Sequence, residues 1–281
     1  MRPPLALALI FLAAVLAIYL GEPIFRRFSA DWPAQWPAYH DFADQRGVCL
    51  CGGGACRVPN FGDVASNLPF LIPGIAGLIH VFRRRRGLPW IDTWGTASFF
   101  ASVGLVALGS GYYHWSPSNG TLMWDRLPMA PAFASLFAMV LADRLSPRLG
   151  ARLLIPIQLA SIASVLYWHA SELRGSGDLR PYALAQFFPI AIIAGLLILR
   201  RPARLPGGRE LGLTAAFYIG AKLLESLDKP IFGATGELVS GHTLKHLSAA
   251  LATWFAFRWV RSWQGESWCR GDAPAARSTE L

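Results

Sequence analysis

Charge is what this chain has least of. Only 15% of its 281 residues are Asp, Glu, Lys or Arg, against 53% hydrophobic residues and a mean hydropathy of +0.37. Soluble domains carry about 25% charged residues, so an ordinary water-soluble globule is excluded and a membrane protein is expected. Phosphate loops, dinucleotide fingerprints and internal repeats are also missing. Nor is there a long basic run with interleaved aromatics, so the formal net charge of +9 does not argue for nucleic acid.

What the chain does have is apolar runs of about 20 residues, the length that crosses a bilayer. They fall near 4–20, 61–82, 91–114, 121–143, 150–170, 180–200, 209–227 and 240–263, eight candidate spans in an all-α polytopic bundle. If the first runs outward, the loops "FRRRRG", "ADRLSPRLGAR" and "LRRPARLPGGRE" and the tail all fall inside with Arg2. That side holds 16 of the 26 Lys and Arg but only 6 of the 17 Asp and Glu. The bias follows the positive-inside rule, so both termini are expected in the cytoplasm and the protein in a cell inner membrane. The first segment, "RPPLALALIFLAAVLAIYL", is followed by no small-x-small cleavage site, so it is expected to stay as a signal anchor. Cleavage would leave seven helices with the same outward face.

Cysteine is scarce and unevenly placed. Cys49, Cys51 and Cys56 lie in the outside loop "RGVCLCGGGACRVPN", and Cys269 lies in the polar tail "GESWCRGDAPAARSTEL", which reads as disordered. An exported loop is oxidising, so one disulfide with one thiol left over is expected, its pairing open. The alternative is a soft-metal reading of C-x-C-x4-C.

Polar groups inside the spans carry the chemistry. Ser110 and His114 share a helix face at i and i+4, Asp125 starts the next span, and His242 and His246 repeat the i, i+4 spacing in the last one. With the inferred topology all five sit at one outer membrane level. His80 is on the inner side, while His40 and His169 are outward without a partner at helical spacing. An ionisable residue within a span costs about 2.5–3.5 kcal/mol, so such residues usually serve a cavity. Three imidazoles with a fourth position open form the ligand set of a catalytic zinc rather than of a closed structural site. Asp125 beside them offers an acid/base group and Ser110 a hydrogen-bond donor. The competing reading is that the histidines only hydrogen-bond between helices and that Ser110 bonds a backbone carbonyl. Lys222, Glu225, Asp228 and Glu172 lie on the same outer side and could line the cavity, but read rather as snorkelling or helix-end charges.

The ordered set S-x-x-x-H, the following Asp and the late H-x-x-x-H resembles the alkaline ceramidase family, within a superfamily of seven-helix membrane hydrolases that includes the adiponectin and progestin receptors. "NFGDVASNLPFLIPGIAGL", residues 60 to 78, is similar to that family's first core helix, and the resemblance runs from about Asp41 to the last helix. It implies a seven-helix core with zinc on His114, His242 and His246, Ser110 steadying the oxyanion and Asp125 shuttling the proton. The expected reaction is hydrolysis of the N-acyl amide of a ceramide-like lipid, drawn from the bilayer, to a fatty acid and a sphingoid-type amine. The chain then divides into an extra N-terminal helix (1–22), an extracytoplasmic loop (23–60), the zinc hydrolase core (61–264) and the tail (265–281).

Members of the family with a calcium site place acidic and amide residues just before the first core helix. Here "HDFADQR" puts Asp41 and Asp44 at corresponding positions, but Arg46 stands where an asparagine ligand would be and Asn60 where a glutamate would be. A fixed cation in place of an oxygen ligand disfavours Ca2+, which wants six to eight oxygens, so Arg46 is expected to pair with Asp41 or Asp44 instead. Two other functions compete with the zinc amidase. One is a serine intramembrane hydrolase with Ser110 as nucleophile; the other is a non-enzymatic lipid-sensing receptor using the same metal site. Haem is disfavoured, because His242 and His246 share one helix face. Oligomeric state, acyl length and headgroup are not legible.

Overall fold

A computed structural model describes residues 10–16, 19, 40–51, 57–199 and 201–263. Among them the chain is a helical bundle, with one two-residue hairpin, β1 (Val48–Cys49) antiparallel to β2 (Arg57–Val58), in the loop that the charge bias assigns outside; "outer" and "inner" name the end of the bundle with the histidine pairs and the opposite end after that expectation. The helices are α1 (Phe61–Ala65), α2 (Leu71–Arg84), α3 (Trp90–Trp115), α4 (Asn119–Arg144), α5 (Pro147–Leu173), α6 (Arg180–Ile198), α7 (Gly208–Ser226), α8 (Asp228–Ala234) and α9 (Gly241–Ser262). A 26-residue helix such as α3 is about 39 Å long at 1.5 Å per residue, enough to cross a bilayer with tilt.

Among the described residues five stretches are long and apolar enough to span by themselves: Phe61–Arg84, Trp90–Trp115, Asn119–Arg144, Pro147–Leu173 and Arg180–Ile198. The first is α1 and α2 joined through a 3-10 turn, Leu68–Phe70, where Pro69 removes a backbone donor. Helices α7 and α9 match the expected spans at 209–227 and 240–263 in position but fall short in apolarity. The reason is their own polar content, Lys222 and Glu225 on α7 and His242, Lys245 and His246 on α9. Of the expected first span, 4–20, residues 10–16 are helical, with Phe11 edge-on to Phe188 of α6 at 5.2 Å. The rest of it lies outside the described residues, as do 23–39, Cys56 and the tail from 264 with Cys269. Cys51 is disulfide-bonded, to a partner outside the described residues, and Cys49 carries an exposed free thiol. The soft-metal reading of the three cysteines therefore fails, since a disulfide sulfur is no thiolate ligand.

Consecutive helices pack side by side from α2 to α6, and α9 packs on both α7 and α2, closing the bundle. The largest buried cluster, with Phe99, Phe100, Val140, Phe257 and Trp259 among its members, fills the middle. At the inner end the loop before α7 is tied down by ion pairs. Arg204 forks onto Asp92 of α3 (2.6 and 3.0 Å), and the Leu205 amide donates to Asp143 of α4 (2.7 Å).

At the outer end the turn between α3 and α4 is set by a capping box: Thr121 N–H donates to Ser118 Oγ (3.1 Å) and Ser118 N–H to Thr121 Oγ1 (3.0 Å). More than two turns into α4, Pro128 has no N–H to give the Trp124 carbonyl. That oxygen faces Gly109 of α3, where an added Cβ would sit 2.1 Å away. Lacking a side chain, Gly109 lets the two backbones touch, and the residues flanking the contact are Ser110 and Asp125. Gly109→Val is expected to destabilise the protein by about 1–3 kcal/mol through overpacking. Gly111→Ala, which meets nothing within 4 Å, should be close to neutral. Thermal melts of the two variants in detergent check this, and equal melting temperatures would refute the close crossing.

Candidate metal centre

Two helix ends bring the histidines together. Helix α9 starts at the N-cap Ser240, whose Oγ accepts from Thr243 N–H (2.9 Å). Gly241 lets this start lie on the end of α7, since a Cβ there would meet the Leu224 carbonyl oxygen at 2.4 Å. Asp228, at the start of α8, accepts from the backbone N–H of His242 (2.7 Å) and of Ala43 (2.9 Å). It thereby ties the first turn of α9 to the outer loop. His114 projects from the last turn of α3, and its carbonyl accepts from Asn60 Nδ2 (2.8 Å).

The three imidazoles form one buried cluster, 0%, 7% and 3% exposed for His114, His242 and His246. Their potential ligand atoms all lie within 4.8 Å of one another, and the ring centroids are 4.8–4.9 Å apart. His114 Nε2 and His242 Nε2 are 3.3 Å apart. Two nitrogens on a tetrahedral zinc at about 2.0–2.1 Å each are about 3.3–3.4 Å apart, so this separation is that of two ligands sharing one ion. His246 Nδ1 is hydrogen-bonded to Ser66 Oγ (2.9 Å), whereas its Nε2 is buried with no hydrogen bond among the described residues. Leaving such a group unsatisfied costs about 1–3 kcal/mol. The donor set, three buried nitrogen ligands and no carboxylate, therefore fits a divalent ion of the zinc type.

Around the cluster the chain builds a cap and a support. The Phe42 ring lies 4.7 Å from both His114 and His242, closing the site from the outer loop. Ser66 Oγ and Asn67 Nδ2 share the Asp63 carbonyl (3.2 and 2.7 Å), and the fully buried Asp63 side chain accepts from Thr243 Oγ1 (2.8 Å). The first core helix and α9 are thus cross-linked at the level of His246. Lys245 Nζ lies 3.2 Å from His242 Nε2 and 2.9 Å from Glu225 Oε1. It competes with an ion for that imidazole lone pair and already has Glu225 to turn to.

Ser110 is buried one turn before His114 on α3, and Asp125 is half-buried at the start of α4, across the Gly109 crossing. Neither belongs to the group of mutually close ligand atoms, which among the described residues is the three histidines alone. His40 serves the outer turn instead, bonding Tyr113 Oη (3.0 Å) and Asn119 Oδ1 (2.8 Å). His80 packs on Phe257 at the inner end.

Of the two carboxylates expected as partners for Arg46, the structure selects Asp44. Arg46 forks onto Asp44 alone, through Nε and Nη2 at 2.8 Å each, while Asp41 pairs with Lys229 of α8 at 2.5 Å. The fork is filled by the carboxylate two residues away, and Lys229 reaches Asp41 from the other side. Burial raises the Asp44 carboxyl, but its bonds to the Arg46 side chain and amide more than offset this and leave it below the ordinary value of 3.8. A depressed carboxyl contributes stability above its unfolded value and loses it as pH falls through the folded one, so the pair holds from neutral to alkaline pH.

Reasoning from sequence missed Ser66, Asp63 and Phe42, which orient or cover the histidines, and read Lys222, Glu225 and Asp228 as snorkelling or helix-end charges, whereas Asp228 holds the His242 amide and Glu225 holds Lys245 beside His242. Lys245 offered a signal that was passed over: a lysine between two histidines on a spanning helix, three residues from His242 and so near its face. Compared with protein-family models and with curated proteins, the chain matches none.

His114→Ala and His242→Ala should each abolish bound metal. Ser66→Ala should keep the fold and weaken metal affinity about 10–100-fold, the usual effect of losing the partner of a ligating histidine. Elemental analysis and competition with a calibrated chelator measure both; wild-type metal content in the histidine variants would dismiss the centre.

Proposed function

We propose that this chain is a zinc-dependent lipid amidase of the ceramidase type, working at the outer level of a cell inner membrane with both termini in the cytoplasm. In this reading α1/α2, α3, α4, α5, α6, α7 and α9 are its seven core helices, and the N-terminal segment is an extra one. The observation that carries it is the buried trio His114, His242 and His246, donated by two separate helices and within ligand distance of one another.

A second feature supports a lipid substrate. An apolar cavity of about 140 Å³ lies between α3, α4, α6, α7 and α9, lined by residues such as Phe99, Val106, Phe133, Tyr218 and Ala249. Val106 is one turn below Ser110, and Ala249 is three residues past His246, so the cavity begins where the polar site ends. An acyl chain seated there brings its amide carbonyl to the histidines. When bound, the zinc supplies Lewis acidity and lowers the pKa of its water to about 7. Ser110 donates a hydrogen bond to the carbonyl oxygen as it gains charge. Asp125 takes the proton of the attacking water and returns it to the departing nitrogen, so one water is consumed and a fatty acid and an amine are formed.

Zinc content with chelator-sensitive hydrolysis of an N-acyl sphingoid base tests this reading. Asp125→Asn should retain the metal and lose about 10²–10⁴-fold in turnover. Chelator-resistant hydrolysis with covalent labelling of Ser110 by a phosphonate would replace it with the serine hydrolase. Full metal loading with no hydrolysis of any acyl amide would leave the receptor.

A further inference from the structure

Beside the histidines two lysines share one carboxylate. Lys222 Nζ binds Glu225 Oε2 at 2.6 Å and Lys245 Nζ binds Glu225 Oε1 at 2.9 Å, so the trio carries one net positive charge. Snorkelling would bury both stems and leave both ammonium groups in water. Lys245 instead turns inward to within 3.2 Å of His242 Nε2, its side chain only 18% exposed, while Lys222, 36% exposed, stands 6.0 Å over the Phe187 ring.

The donors outnumber the acceptors. Each ammonium has three N–H groups. Among the described residues Lys222 uses one, on Glu225, and Lys245 uses two, on Glu225 and His242, the second of which is freed when an ion takes that nitrogen. Of the other carboxylates on the elements packed here, Asp228 is committed to the amides of His242 and Ala43, and Asp63 accepts from Thr243 through Oδ1 while its Oδ2 has no hydrogen-bond partner among the described residues, and neither is hydrogen-bonded to a lysine of this pair. A cationic head turned into the protein beside an apolar cavity, as that of Lys245 is, is costly unless an anion answers it, and the partly exposed Lys222 stands ready beside it. Tyr218, which lines the cavity, is one turn from Lys222 on α7. One molecule can therefore place its chain in the cavity, its amide at the histidines and a third group at the lysines.

We propose that this third group is anionic. The amine half of the substrate carries a carboxylate or phosphate within a few bonds of the amide nitrogen, held by Lys222 and Lys245. The preferred substrate is then an acidic N-acyl lipid rather than a neutral ceramide. This rests on the amidase reading for the bond that is cut, but the binding step stands apart from it.

The test uses the full-length protein in detergent, after chelation, and measures equilibrium binding of N-palmitoylglycine against its neutral N-methylamide. The acid should bind at least about 10-fold tighter, and Lys222→Met and Lys245→Met, used separately so that Glu225 keeps one partner, should each bring the ratio toward one. A ratio near one in the unaltered protein overturns the proposal. So does a ratio that neither variant shifts, or variants that change only inhibition by palmitate, which would mean that the lysines hold the released fatty acid. In the metal-loaded protein, hydrolysis of neither ligand sinks the amidase reading while leaving the binding ratio to judge the lysines.

Discussion

Three imidazoles packed into an apolar bundle are the constraint around which the outer half of this molecule is built. A lone pair with no donor is expensive in such surroundings, and here the lone pairs of His114, His242 and His246 are pressed together. One ion relieves them all, which is why the arrangement reads as a centre rather than as three separate hydrogen-bonding residues. The supporting contacts follow the same logic. Asn60 fixes the end of α3, Asp228 fixes the start of α9, and Ser66 turns His246 so that its free nitrogen faces its neighbours. Each of these supports comes from a different stretch of chain, so the ligand geometry depends on the whole outer end being assembled.

Within a bilayer the hydrophobic effect does little to choose among helix neighbours, and small residues and polar contacts do so instead. The two ends of the bundle use these differently. At the inner end Asp92, Asp143 and Arg204 clamp a loop against α3 and α4. At the outer end three histidine rings turn their nitrogens toward one another. Buried groups without a hydrogen-bond partner occur at both ends, His246 Nε2 at one and the Trp259 and Trp263 indoles at the other, so it is the convergence of ligand atoms that marks where an ion belongs.

Much of this was legible from the order of residues. Apolar runs located the helices from α2 to α7 and α9 within a few residues, because a long apolar helix has few alternatives in lipid. Spacing alone joined His242 to His246, and the charge bias carried His114 to the same level. What escaped was non-local. Ser66 meets His246 across 180 positions, and Phe42 reaches its place over the rings only through the ties of the outer loop. Local pattern does not encode such meetings. The partner of Asp41 escaped for a similar reason: Lys229 comes from the short helix α8, which no periodicity announced.

The outer loop shows which of its ties matters. Phe42 is flanked by two ion pairs, Asp41 with Lys229 and Asp44 with Arg46. In the first, both side chains are about 60% exposed, and such pairs contribute about 0–1 kcal/mol. In the second, the carboxylate is 4% exposed and accepts two fork bonds and a backbone amide. Removing the arginine would strand a buried charge next to Gly62 and Thr243. The hold on Phe42 therefore comes from Asp44, with Ala43 bound to Asp228 as its second anchor. Because Asp228 also grips His242, the residue that covers the cluster and one that forms it are positioned by the same carboxylate. A substitution at Asp228 would accordingly disturb the cover and the cluster together.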